Sequence, residues 1–311
     1  MRNHFAAELL RMAQEDPSIY VMTGDLGYGV WDKFAETYPD RFINAGISEE
    51  HMTAAAAGLA LEGNTVYTYS IGNFPGMRCL EWIRNDICYH HANVKILAVG
   101  GGFAYGQLGM SHHATEDIAI MRALPGMRVY APADAKDAVA TARQVNAWKG
   151  PCYIRLGKGK EPDLSPGRVR RGIEKIIELE KGEDIAVVSF GPILAEAIKA
   201  ASILKESGIK IGLYQAITMK PLDERTILAI AQAYKRILVL EEHNRIGGLG
   251  SAVAEQVAGL QGAKAVVEYM GLRDVYPSIV GSQEYLRDFY GLSARHIVEK
   301  VEKLRKEEFK R

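Results

Sequence analysis

Three short stretches of the chain carry residue types that can do acid–base or hydrogen-bonding chemistry. The first is Gly46-Ile47-Ser48-Glu49-Glu50-His51-Met52, followed by a run of small residues from Thr53 to Ala60. Ser48 is a helix N-cap type, so the helix begins at Glu49. Small residues behind it let the helix pack closely into a core or an interface. A carboxyl group desolvated there favours its protonated form and can share a proton. Glu49 and Glu50 equally fit an acidic first turn that complements the helix dipole.

The second stretch runs from Gly100 to His113 and contains Gly100-Gly101-Gly102, Gly106, Gly109, His112 and His113. It follows an apolar strand and precedes a helix. Glycines after a strand permit close backbone approach to a ligand, but their spacing here does not give G-x-G-x-x-G in register. Two adjacent histidines point in different directions, which argues against a metal pair. One of them could donate to a substrate oxygen, or both could be loop residues near a helix start. The third stretch, Glu241 to Gly250, ends a strand and opens a helix. Outward-facing amides there would suit phosphate, yet two glutamates precede them, and a structural turn at an interface is the better reading. No G-x-x-x-x-G-K-[ST] loop, HExxH or nucleophile elbow occurs. Gly24-Asp25-Leu26-Gly27 begins like a metal–diphosphate motif, but nothing downstream supplies the asparagine and second carboxylate.

The elements that must position these residues alternate between strand and helix. Apolar, β-rich runs at 19–23, 65–69, 94–99, 128–130 and 152–155 are separated by helical patterns at 2–15, 49–61, 78–89, 114–123 and 134–148. Continuous apolar strands between amphipathic helices imply a parallel sheet covered on both faces. Around 157–175 the sequence turns rich in Gly, Pro, Lys and Arg, which reads as a linker. The alternation then restarts, with strands at 185–190, 209–215 and 237–241 and helices at 193–207, 223–233 and 250–258. The fold class is therefore α/β, with two parallel-sheet domains, and ligands belong at the carboxyl ends of the strands.

Lysine plus arginine and aspartate plus glutamate both number 38, so the formal net charge is zero and nothing draws the chain to nucleic acid. The charged tail from Lys300 reads as a solvated helix end. Cys79, Cys88 and Cys152 have no metal-ligand spacing and fit reduced thiols in a cytoplasm. No apolar run is long enough to span a bilayer, so no membrane partner is expected.

Taken together, these motifs resemble the transketolase and deoxyxylulose-phosphate synthase group. The Gly46–Met52 segment resembles its G-I-x-E-x-H segment, and Gly106–His113 is similar to its G-x-D-G-x-T-H loop. Residues 118–134 resemble its I-A-x-x-R-x-x-P-x-x-x-V-x-x-P-x-D stretch. Thr218-Met219-Lys220-Pro221-Leu222-Asp223 and the Glu241–Gly250 run are similar to its C-terminal domain. The match runs in order along essentially the whole chain.

The resemblance implies a thiamine-diphosphate pyrimidine-binding domain (1–160), a linker (161–180) and a transketolase C-terminal domain (181–311). The diphosphate-binding domain is missing. It implies a separate N-terminal-section partner chain, an α2β2 assembly, and thiamine diphosphate with Mg2+, the metal and diphosphate being held by the partner and not by this chain. The implied activity is two-carbon ketol transfer between sugar phosphates. Glu49 would hydrogen-bond the pyrimidine ring nitrogen and favour its imino tautomer, and His112 would contact substrate oxygens. Asp25, Tyr69 and Phe74 fall in segments near the cofactor, and Arg78 and Lys158 in segments near the substrate. A structural turn for Asp25, core packing for Tyr69 and Phe74, and a solvated linker lysine for Lys158 are the alternatives. Leu108 stands where transketolases keep an aspartate, Gly100 where they keep a histidine, and Gly29 near their acceptor-phosphate serine, so the substrate differs or is recognised by other groups. Rival readings are a deoxyxylulose-phosphate synthase-like or 2-oxo-acid dehydrogenase β-like chain, or a non-catalytic assembly chain.

Overall fold

A computed structural model describes residues 1–164, 172–262 and 265–308. In the first half, α1 (Arg2–Glu15), β1 (Ile19–Thr23), α2 (Asp32–Thr37), β2 (Phe42–Asn44), α3 (Glu49–Leu61) and β3 (Thr65–Ile71) follow one another. A helical segment of mixed pitch comes next, with π-helical turns at Phe74–Arg78 and Ile83–Cys88 on either side of α4 (Leu80–Trp82). Then come β4 (Val94–Val99), α5 (Asp117–Ala123), β5 (Arg128–Tyr130), α6 (Ala135–Ala147) and β6 (Cys152–Leu156). The second half holds β7 (Ile177–Glu180), β8 (Ile185–Phe190), α7 (Leu194–Glu206), β9 (Gly212–Ala216), β10 (Thr218–Lys220), α8 (Glu224–Ala233), β11 (Arg236–Asn244), α9 (Leu249–Ala258), β12 (Val266–Leu272), α10 (Gln283–Phe289) and α11 (Ala294–Glu308).

The strands form a seven-stranded sheet, ordered β10-β5-β6-β4-β3-β1-β2, and a five-stranded sheet, ordered β12-β11-β8-β9-β7. Central strands are buried on both faces, as parallel α/β sheets require. In β4, Val94, Ile96 and Ala98 face one core layer, while Leu97 and Val99 face the layer under α1 and α6. Lys95, although fully buried, donates from Nζ to the carbonyls of Trp148 at 2.7 Å and Gly150 at 2.6 Å, which satisfies its polar head.

Several local expectations are corrected. Neither sheet is purely parallel, because β10 pairs antiparallel with β5 and β7 pairs antiparallel with β9, each at a sheet edge. Because β10 lies in the second half of the chain, the halves share a sheet. Residues 177–180, inside the expected linker, form β7, while residues 165–171 of that stretch lie outside the described residues. The helix expected from 114 starts at Asp117, since Ala114 is held by an antiparallel bridge to Gly102. The charged tail is more than a solvated end. With Ile297 just before it, its Val301 and Leu304 recur at helical spacing and bury one face of α11 in the core that holds α7.

The Glu241–Gly250 stretch is the structural seam between the halves. Glu241 accepts from the amides of Leu249 and Gly250 at the start of α9. Glu242 accepts from the Phe103 amide, Gln283 and Arg287. Buried Arg155 reaches from β6 to the carbonyls of Ala114 and Glu242 and lies 3.1 Å from Asp117, which also accepts from Tyr153 at 2.8 Å. These contacts explain the glycines at 101 and 102. A Cβ on Gly101 would overlap Arg155, and one on Gly102 would overlap Glu242, so the close approach is to the seam and not to a ligand.

Candidate active site

Glu49 is the first residue of α3, at the carboxyl end of the first sheet, and only 2% of it is exposed. Ser48 supplies no side-chain cap, so Glu49 opens the helix without help from it. Its two carboxyl oxygens have different neighbours. Oε1 accepts from Ser70 Oγ at 2.9 Å, and Oε2 accepts from Arg78 at 2.8 Å. Thr53 Oγ1 donates to the Glu49 carbonyl at 2.7 Å and fixes the first turn. Gly24, at the tip of β1, packs on the same group, since a Cβ there would lie 3.2 Å from Oε1. The carboxyl is therefore walled by Gly24 and Ser70 on one side and bounded by the partly exposed Arg78 on the other.

Phe74 and His112 complete the cluster. The Arg78 guanidinium sits 4.8 Å from the Phe74 ring centroid, within cation–π reach. The Phe74 and His112 rings meet edge to face at 5.2 Å. Asn73 Nδ2 donates to the His113 carbonyl at 2.6 Å and ties the π-helical turn to the glycine loop. His112 also exchanges a hydrogen bond with Ser111 at 3.0 Å and stays half-buried at the rim. His113 points the other way, buried against Phe103, and burial lowers its pKa. Glu49, Arg78, Phe74 and His112 thus form one continuous constellation.

The other expected site residues lie outside it. Lys158 is exposed with its Nζ 4.6 Å from the Tyr105 ring centroid, and Tyr105 in turn lies 6.4 Å from the His112 ring. Tyr105 thus stands between Lys158 and His112. Asp25 is on an exposed turn beside Gly24, with φ at 56°, and accepts at 2.9 Å from both Asn44 and Tyr28. Those two hydrogen bonds, Asn44's first, lower its pKa. Tyr69 does not reach the cluster. Side chains of a strand alternate between faces, so Ser70 turns toward Glu49 while Tyr69 turns into the opposite layer. There it packs edge to face on Trp31 at 5.4 Å, and burial raises its pKa to about 12. Sequence reasoning does not single out Ser70 or Asn73, and it reads Gly24 as the start of a metal–diphosphate-like turn, not as a wall of Glu49. For Ser70 the available signal is period-two alternation: a hydroxyl at the carboxyl end of a strand, one residue from a core tyrosine.

A buried carboxyl with one polar wall, beside a half-buried aromatic ring, suits a flat heteroaromatic ring that exchanges a proton at a ring nitrogen. Among the described residues no group of three His, Cys, Asp or Glu side chains could hold a metal ion. No helix among them is long and apolar enough to cross a membrane.

Comparison with known proteins follows the two halves of the chain. The family profile of the transketolase pyrimidine-binding domain matches residues 1–162, and that of the transketolase C-terminal domain matches residues 174–297. A putative transketolase C-terminal section of Methanocaldococcus jannaschii is 35% identical over 311 residues, covering 99% of this chain and 97% of that protein. One of the subunits of the apulose-4-phosphate transketolase of Phocaeicola vulgatus is 34% identical over 259 residues, covering 83% of each. A solved structure of a split gene transketolase, as an inactive beta4 tetramer, superposes with a TM-score of 0.88 at 36% identity, covering 97% of both chains. With family profiles matching both halves and a 35%-identical relative covered almost end to end, the chain belongs to the transketolase family, whose members are thiamine-diphosphate enzymes.

Proposed function

We propose that this chain is the C-terminal section of a split transketolase, active only with an N-terminal-section chain in an α2β2 assembly. It helps move a two-carbon ketol unit from a ketose phosphate to an aldose phosphate. The observation that carries this reading is Glu49, only 2% exposed and ending in an oxygen whose partner comes from the exposed rim. Bound thiamine diphosphate would supply a carbon centre able to take up and release the ketol fragment. This chain's part is to hold the pyrimidine end. Glu49 moves a proton to and from a ring nitrogen, Ser70 orients the carboxyl, and Phe74 gives an apolar edge. His112 donates to a substrate oxygen. Lys158 attracts the substrate phosphate as a point charge, and Asp25 shapes the turn next to Gly24. Mg2+ and the diphosphate belong to the partner.

The inactive beta4 tetramer of a 36%-identical split transketolase chain supports the need for a partner. The apulose-4-phosphate name of a 34%-identical relative widens the substrate class beyond the common pentoses. Leu108 is 55% exposed on the rim loop, where it offers a hydroxyl no polar partner, which supports a donor recognised by other groups. The test is an assay of this chain with its N-terminal-section chain, thiamine diphosphate and Mg2+, on a panel of ketose phosphates and aldose phosphates. Ketol transfer supports the reading. Carbon dioxide release from a 2-oxo acid without ketol transfer would favour the synthase-like or dehydrogenase-like rivals. Cofactor loss in the assembled complex would favour a non-catalytic assembly role.

A further inference from the structure

We propose that Arg78 is a positioning residue, a displaceable latch that covers Glu49 in the unpartnered chain and must release Oε2 before a heteroaromatic ring can take it. The inference rests on the functional reading above and deepens it. Both carboxyl oxygens of Glu49 already have donors, at 2.9 Å from Ser70 and 2.8 Å from Arg78. The two donors differ in how readily they can leave. Ser70 is fully buried in β3. The Arg78 side chain is 43% exposed, whereas that of Glu49 is 3% exposed. It leaves the π-helical turn Phe74–Arg78, and irregular helical pitch of this kind accommodates local rearrangement. Its guanidinium rests on the Phe74 ring at 4.8 Å, so the same motion that frees Oε2 also uncovers that ring.

The latch solves a physical problem of a chain that waits for its partner. A buried carboxylate without a counter-charge is costly, and Arg78 supplies that charge until the site is filled. The surrounding titratable groups do not replace it. Glu50 is on the same helix and carries the same sign, the Asp25 carboxylate is held by Asn44 and Tyr28, and the Cys79 thiol is pushed up to about 11 by burial and stays neutral. Filling the site therefore breaks the Glu49–Arg78 ion pair, and Oε2 passes from the guanidinium to the ring.

The experiment measures thiamine-diphosphate binding, with Mg2+ and no sugar, by calorimetry. It uses the assembled complex carrying wild-type chain, Arg78→Met or Arg78→Lys. Arg78→Met is expected to bind at least about threefold tighter than wild type, because a competing closed state is lost. Arg78→Lys, which keeps a charge able to close over Glu49, should return the affinity toward wild type. Unchanged or weaker binding by Arg78→Met would overturn the latch, and weaker binding would make Arg78 part of the cofactor's own seat. No binding by the wild-type complex would overturn the functional reading and the latch with it.

Discussion

Ser70 Oγ donates to Glu49 Oε1 at 2.9 Å from the strand position next to Tyr69, and that one-residue offset separates the site from the core. Tyr69 faces Trp31 on the other side of the sheet. Ser70 is fully buried, so its hydroxyl has no water to fall back on. Ser70→Ala should lower the unfolding free energy of the chain by about 1–3 kcal/mol, the usual cost of leaving a buried acceptor without its donor. Urea unfolding of the two chains checks this, and an unchanged midpoint would show that Oε1 is otherwise satisfied.

Glu49→Ala should lower kcat of the assembled enzyme by about 10²- to 10⁴-fold, the range for loss of a positioned acid–base group. Assembly with the partner, followed by size-exclusion chromatography, should persist. Normal turnover in this variant would remove Glu49 from the mechanism.

His112 meets Phe74 at the rim and has a ring nitrogen within 3.0 Å of Ser111 Oγ, so one ring edge is available to substrate. His112→Ala should lower kcat/KM about a hundredfold, as for loss of one donor to a developing charge. Cofactor affinity should stay within about twofold, since the proposed role is toward substrate. A parallel fall in cofactor affinity would place His112 in the cofactor seat instead.

The seam should make stability depend on pH. Burial pushes His243 down to about 4. It lies 4.0 Å from Asp117 and 3.9 Å from Glu241, beside the Ala119 amide and the Arg155 network. A depressed histidine contributes stability that is present above its ordinary value of 6.5 and is lost as pH falls through 4. The effect is on the order of 2–3 kcal/mol. Glu241 acts with the opposite sign. Burial raises it to about 8, so its contribution is present below 4.5 and lost as pH rises through 8. Melting temperatures from pH 4 to 9 should therefore flatten on the acid side for His243→Asn and on the alkaline side for Glu241→Gln. Identical profiles for both variants and wild type would refute this assignment.

Much of this architecture is legible in the sequence because it is local. The strand–helix alternation follows from apolar periodicity, and α3 follows from the run of small residues behind Glu49, although the Ser48 side chain does not cap it. Elements that depend on distant partners are not legible. β10 has three residues, and it is a strand only because β5 lies beside it. Nothing near Arg78 in the sequence indicates Glu49, 29 positions earlier. The glycines at 101 and 102 read as a ligand loop because glycine signals close approach without naming what approaches; here it is Arg155 and Glu242. Tyr69 is drawn to the site by its neighbours in sequence and removed from it by strand alternation.

The central claim is that this chain holds one end of a cofactor whose other end belongs to a partner. Its most direct test is calorimetric binding of thiamine diphosphate with Mg2+ to this chain alone, and to the chain mixed with an N-terminal-section chain. The account predicts saturable binding in the mixture and none by the chain alone. Tight binding by the chain alone would contradict it, because no partner would then be needed to hold the diphosphate.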